Sequence, residues 1–363
     1  MADAKMKILV GMSGGVDSAT AAALLHAQGH QVTGCTMRLW REGNNLKGGT
    51  RDACYGPGEA EDTEAAREVC RKIGIPFFEF DCSHAYETTV IGYFREEYLA
   101  GRTPNPCVRC NAAMKFGLLP EMARQCGLVF DRFATGHYAR LQAGADGRMQ
   151  LLRAIDHTKD QSYFLCGLSQ EKLSELLFPL GELSKVEVRK LARDYGLPVY
   201  DRPDSQDFYS GDTAELIGRE DAVGDIVDDA TGALLGHHTG YWKYTIGQRK
   251  GLGVASTEPL YVVGINACRN QVRLGRKTTA IHHWLRTGRF NWLSIPPSDK
   301  ALSCEVKVRS VQNPVPCKMI PQPDGCCETE FPEGIFAVTP GQAAAFYQGE
   351  ILLGGGFIRD ARV

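Results

Sequence analysis

The chain has 363 residues, 43% hydrophobic and 23% charged, with 41 Lys and Arg against 43 Asp and Glu for a net charge of −2. These values exclude a largely disordered chain and a uniformly basic nucleic-acid binder, and the length allows two or three folded units. No run approaches the roughly 18 apolar residues of a membrane helix, and MADAKMKILVGMSGG lacks a secretory pattern, so a cytoplasmic protein with no membrane partner is expected. Thirteen cysteines, an odd number without an export signal, are expected to stay reduced. Most of them, including Cys35, Cys70 and Cys126, are expected to pack as small hydrophobes.

Taken in chain order, KILVGM reads as a first strand, followed by a helix from Ser18 to about Gln28, the strand QVTGCTM, a helix from Glu59 to Lys72, and the strand PFFEF. Such βα alternation predicts a doubly wound parallel sheet. Trp40 to Gly58 has several glycines and no period, so a long irregular loop is expected there. Ser184 and Glu187 form a capping box for a helix to about Tyr195, near the end of the α/β unit. Beyond Gly224 the texture turns to short strands: a DIVDDATGALLG hairpin, YWKYTIG, LYVVGI and QVRLGRK, and then alternating segments that suggest a small closed barrel. Domains of 1–205, 206–277 and 278–363 are expected. Between Asn266 and Ile320 ten basic residues face two acidic ones, a local +8 that is a footprint of polyanion binding or of a plain solvated face.

Gly11, Met12, Ser13, Gly14, Gly15, Val16, Asp17 and Ser18 leave the first strand and enter a helix. Glycines let backbone N–H groups close on an oxyanion, and the helix N-terminus adds its dipole, so a phosphate is the expected guest. Asp17 beside phosphates is repulsive unless a cation such as Mg2+ bridges them.

SGGVDS resembles the PP-loop of the ATP pyrophosphatases, which form adenylates. Over nearly its whole length the chain further resembles the tRNA-specific 2-thiouridylases: GMSGGVDS, TPNPCVRCN from Thr103, TGHYAR from Thr135, KDQSYFL from Lys159, TIGQRKGLG from Thr245 and VTPGQAAAFY from Val338 follow in order. The resemblance implies an adenine nucleotide alpha hydrolase-like PP-loop domain, a small β domain and a C-terminal β-barrel that helps hold tRNA. It implies ATP-dependent adenylation of O2 of the wobble uridine, with the base everted from the anticodon loop, and displacement of AMP by a cysteine-bound sulfur. The sulfur would come from a cysteine desulfurase or a relay protein. Carried over by position, the loop with Met37 and Gly136 binds ATP. Asn105, Pro106 and Cys107 frame the base, and His137, Lys159, Asp160, Gln161, Arg309, Ser310 and Gln342 contact tRNA. Read without the family, His137 follows a strand end where α/β enzymes place ligands, while Lys159 to Gln161 also fit an ordinary helix entry.

Sulfur transfer needs one thiolate to hold a persulfide and another to release it. The resemblance makes Cys110 the nucleophile, but Tyr209 stands where the family has its persulfide cysteine. Two substitutes are open. Cys107, paired with Cys110 in a CxxC, can act as the second thiol; alternatively Cys107, Cys110 and a third cysteine such as Cys166 hold an iron–sulfur cluster. Competing functions are a PP-loop amidating synthetase, an RNA-binding module without activity, and an iron–sulfur thiolase acting on another nucleoside.

Overall fold

The computed structural model describes residues 5–41, 46, 53–204, 207–209 and 211–363. Its first layer is a five-stranded parallel sheet built from β1 (Lys7–Gly11), β2 (Gln31–Arg38), β4 (Phe77–Asp81), β5 (Arg132–Thr135) and β8 (Leu176–Leu177), in the order β4-β2-β1-β5-β8. The numbering leaves β3 (Ala53–Tyr55), β6 (Ala139–Ala143), β7 (Met149–Arg153) and β9 (Asp207–Tyr209) outside that sheet. Alternation along β1 divides the core. Ile8 and Val10 pack with α1 (Val16–Ala27), α2 (Glu59–Ile73) and the helix Lys185–Asp194, while Leu9 faces the cluster containing Phe94, Met114 and Phe116. The expected α/β layer is present, and so is the Ser184–Glu187 capping box.

β1 lies near the middle of the sheet, with β2 on one side and β5 on the other, both parallel and in register from Ile8 to Gly11. The chain therefore leaves β1 at the sheet's C-terminal edge, in the crevice where open α/β sheets hold ligands.

The loop expected from Trp40 to Gly58 falls partly outside the described residues, at 42–45 and 47–52. Its far end is ordered as strand, a correction: β3 pairs in parallel with β9, setting Ala53 opposite Asp207 and Tyr55 opposite Tyr209. The next unit is a four-stranded sheet of Gly224–Asp228, Leu234–His238, Tyr261–Asn266 and Gln271–Gly275, including the expected hairpin. YWKYTIG is not a strand but a 3-10 turn at Tyr241–Lys243, where Tyr241 and Trp242 are buried. Six strands from Ile281–Thr287 to Ile351–Arg362 close into a barrel when the last pairs back onto the first. The hairpin β6–β7 reaches out of the α/β part and meets this barrel through Leu152 opposite Ile351.

Candidate active site

Gly15 precedes α1 without a side-chain cap, so the first-turn N–H groups stay open toward the crevice. The loop is held from within: Ser13 N donates to Ser18 Oγ at 3.0 Å, and Ser18 Oγ donates to the Gly15 carbonyl at 3.3 Å. Gly14 has φ +74°, and a Cβ there would run into the Asp62 carbonyl. Gly136 must be glycine for a different reason: a Cβ would lie 2.6 Å from Ser18 N and 2.7 Å from the Asp17 carbonyl carbon.

Asp17 accepts from Tyr138 Oη at 2.8 Å and from Lys185 Nζ at 2.7 Å. Lys185 bridges Asp17 to Asp204, which it meets at 2.7 Å. Asp204 also pairs with Lys159 at 2.8 Å and Arg189 at 3.2 Å. Burial would raise its carboxyl, but Lys159 and Lys185 hold it below the ordinary value. Arg202 links the loop to α2 by donating to the Gly14 carbonyl at 2.9 Å and pairing with Asp62.

These groups open onto a cavity of about 440 Å³ whose walls include Gly11, Met12, Ser13, Gly15, Val16, Asp17, Ser18, Met37, Gly136, His137, Lys159 and Gln161. Sequence reasoning named those twelve. It missed Cys54, Glu59, Asp62, Lys115, Arg202 and Asp204 on the same walls, and Lys185 behind Asp17. Cys54 lies in a stretch without pattern, and Asp204 carries no local signal of its own. Glu59 accepts both the Leu39 and Trp40 N–H groups at 2.7 Å, yet burial outweighs them and pushes its carboxyl up to about 7.

Cys107 and Cys110 stand outside the lining of this cavity, on the helix that continues into Lys115. Asn105 N-caps the short helix Pro106–Cys110, accepting from Val108 N at 3.2 Å. The Asn105 amide nitrogen donates to Gln342 Oε1 at 3.3 Å, while Gln342 Nε2 donates to the Thr103 and Pro104 carbonyls at 3.2 and 2.7 Å. The barrel thus clamps the TPNP segment. From Asn111 to Leu118 the helix runs with i→i+5 hydrogen bonds, a rare geometry common at functional sites. Cys110 is buried, which raises its thiol to about 11 despite the nearby Lys115; Cys107 is half-buried.

Several expected roles change. Cys166 does not join Cys107 and Cys110; its carbonyl accepts from Asn291, and its thiol lies against Gly355 in the barrel. Among the described residues no three His, Cys, Asp or Glu side chains are grouped to hold a metal, so the cluster with Cys166 is not formed. Cys35 and Cys70 are buried as expected, but Cys126 is exposed. Tyr209 is buried, donating to Glu215 Oε2 at 2.9 Å and standing 6.3 Å, ring to ring, from Tyr55.

The Asp160 side chain is fully enclosed, accepting from Ala154 N and Ser162 N and pairing with Arg153 at 3.4 Å, so it supports its loop and cannot reach RNA. Removing it, as in Asp160→Ala, should lower stability by about 3 kcal/mol, read as a drop in unfolding midpoint. Arg309 Nη2 donates to the Ile246 and Ala337 carbonyls and to Thr339 Oγ1, which spends that nitrogen inside the protein; Ser310 is half-buried. Much of the +8 segment is likewise neutralised by acids outside it: Arg273 pairs with Asp229, Arg276 with Glu258, and Arg286 with Asp324 and Glu328.

His137 sits between Phe116 and Phe178 with Thr135 Oγ1 2.8 Å from Nδ1. Burial first, and Lys115 second, lower its pKa to about 3. The unfolded chain binds this proton near pH 6.5 and the folded chain does not, so stability should fall as pH drops from 6.5 toward 3. By pH 5 the loss reaches up to about 2 kcal/mol, and His137→Gln should flatten that slope in urea titrations at pH 7 and 5.

With this geometry in view, comparison with known proteins is direct. A family model described as tRNA methyl transferase HUP domain matches residues 6–209, the tRNA methyl transferase PRC-barrel domain matches 215–276, and the aminomethyltransferase beta-barrel domain matches 282–358. The tRNA-specific 2-thiouridylase MnmA of Endomicrobium trichonymphae is 45% identical over 98% of this chain and 99% of its own. This chain belongs to the tRNA-specific 2-thiouridylase family. The family member from Geotalea uraniireducens (strain Rf4) is 43% identical over 98% of this chain and 96% of its own. Similarity of this extent spans the PP-loop, the clamped TPNP segment and the barrel alike. No described helix is long and apolar enough to cross a membrane.

Proposed function

We propose that this thiouridylase-family protein is a tRNA-uridine 2-sulfurtransferase that adenylates O2 of the wobble uridine and replaces that oxygen with sulfur, releasing AMP and pyrophosphate. The observation that carries this reading is one cavity lined both by the open N-terminus of α1 and by Cys54 and Lys115, Lys115 lying on the helical stretch that continues from Cys107 and Cys110. A phosphate site and a thiol site on one cavity suit a reaction in which an activated base meets sulfur without leaving. An amidating synthetase would have no use for the thiols.

ATP is assigned to residues 11–18 with Met37 and Gly136. Mg2+ entering with the nucleotide would find hard oxygen donors at Asp17 and Asp204, and would supply charge neutralisation to the phosphates. The base is assigned to Asn105, Pro106 and Cys107, with the anticodon region reaching Lys159, Gln161, His137 and Ser310. Asp160, Arg309 and Gln342 shape that surface from behind. For sulfur we assign Cys107 as the persulfide carrier and Cys110 as the thiolate that releases it, loaded by a desulfurase or relay protein, and no step runs through an iron–sulfur cluster. A cytoplasmic setting accords with the tRNA substrate.

The test is pyrophosphate release from ATP with and without tRNA carrying an unmodified wobble uridine. Release stimulated at least tenfold by that tRNA, and not by one with another wobble base, is expected. Release stimulated by ammonia and indifferent to tRNA would replace this reading with the synthetase.

A further inference from the structure

Lys115 has a surrounding unlike that of any other cation described in the cavity. Lys159, Lys185 and Arg202 each pair with a carboxylate, whereas among the described residues Lys115 has no acidic side chain within ion-pair distance. It lines the cavity, and the titratable groups that act on it are the thiols of Cys54, Cys110 and Cys107. Burial alone would lower this ammonium's pKa, and the thiols reverse that effect. The other facing titratable group is His137, neutral at working pH.

The helix explains the meeting. Cys110 and Lys115 are five residues apart, which on a 3.6-residue helix would set them about 140° apart around the axis. Asn111–Leu118 instead closes i→i+5 hydrogen bonds, turning the fifth residue back toward the first. The unusual geometry thereby brings an ammonium to the side of the helix that carries Cys110.

We propose that Lys115 is a positioning residue for the sulfur-transfer step: its ammonium, on the wall of the nucleotide cavity, is the counter-ion that makes the Cys110 thiolate, and the perthiolate on Cys107, easier to form at this buried site. The inference rests on Cys110 and Cys107 being the working thiols. The terminal perthiolate sulfur on Cys107 bonds to C2, the C2–O2 bond breaks, and its electron pair departs on AMP. The Cys110 thiolate then attacks the Cys107 sulfur, and the S–S bond electrons pass to the sulfur now on C2, giving 2-thiouridine. Two thiols are oxidised to a Cys107–Cys110 disulfide as the sulfane sulfur is reduced, and an external thiol reductant resets the pair. Both anions that attack in this sequence lie beside the one ammonium. Losing it should make both anions costlier to form and slow sulfur transfer, while adenylation, assigned to the N-terminus of α1, continues.

The experiment compares full-length Lys115→Met, Lys115→Arg and wild type, with Lys115→Gln replacing the methionine variant if that one does not fold. Three quantities are read: the rate of Cys110 alkylation by iodoacetamide at pH 8, resolved by mass spectrometry; tRNA-stimulated pyrophosphate release; and single-turnover thiolation. Loss of the ammonium should slow Cys110 alkylation about tenfold, the effect of about one pKa unit, with arginine restoring most of it. Thiolation should fall in parallel while pyrophosphate release stays within about threefold. Unchanged alkylation overturns the proposal. So does a loss of pyrophosphate release equal to the loss of thiolation, which would make Lys115 a phosphate ligand. If Cys110→Ala itself leaves thiolation intact, it is the assignment of the thiols that fails.

Discussion

Gly136→Ala should nearly abolish ATP-dependent pyrophosphate release while leaving the protein folded. The added Cβ would sit 2.6 Å from Ser18 N and 2.7 Å from the Asp17 carbonyl carbon, both of them backbone atoms with little room to give. Relief requires the end of β5 and the start of α1 to separate by several tenths of an ångström. Ser18 N belongs to the first turn of α1, to which the phosphates are assigned, and Asp17 is tied to Tyr138 and Lys185. A shift of this kind at a reacting centre costs about a hundredfold in kcat/KM. The strain itself should cost about 1–3 kcal/mol of stability, readable in a urea titration. Gly236→Ala is the matched control, because a Cβ there meets only Val254 at an ordinary 3.5 Å. Equal activities of the two variants would mean that the loop end of β5 does not approach the nucleotide.

Cys110→Ala and Cys107→Ser should each reduce single-turnover thiolation by about a thousandfold or more, as expected when a nucleophile or its partner is removed. Pyrophosphate release should persist, because the groups assigned to ATP stand at the start of α1 and the end of β5 and the thiols on a separate helix. Cys166→Ser provides the contrast. That residue is buried against Gly355, so its replacement should lower stability without stopping thiolation. An active Cys107→Ser variant would point to Cys54, the thiol lining the cavity itself, as the second partner.

The parts legible in sequence were those with local causes. The phosphate loop was readable because glycines and a helix N-terminus must lie together in the chain, and the capping box at Ser184 because its two residues are three apart. The hairpin from Gly224 to His238 was legible for the same reason. What could not be read depends on long-range meetings. Gln342 gripping Thr103 and Pro104 spans most of the chain. Lys185 neutralising Asp17 joins two helices, and the β3–β9 pairing lifts Cys54 out of a patternless loop toward Lys115. The basic segment carries less net charge in space than in sequence, because its boundary at Ile320 leaves out Asp324, Glu328 and Glu330, which fold back onto Arg286 and Lys318. Cys166 misled because its thiol is packed against Gly355 in the barrel, a contact no local motif announces.

The central claim is that ATP cleavage and sulfur insertion occur on one cavity and one base. The most direct measurement is mass spectrometry of digested tRNA after incubating the protein with ATP, Mg2+, a persulfide source and tRNA with an unmodified wobble uridine. The expected result is 2-thiouridine at that position, matched by AMP and pyrophosphate, and absent with Gly136→Ala or Cys110→Ala. Pyrophosphate released without sulfur in the RNA, or no reaction with either substrate, would contradict it.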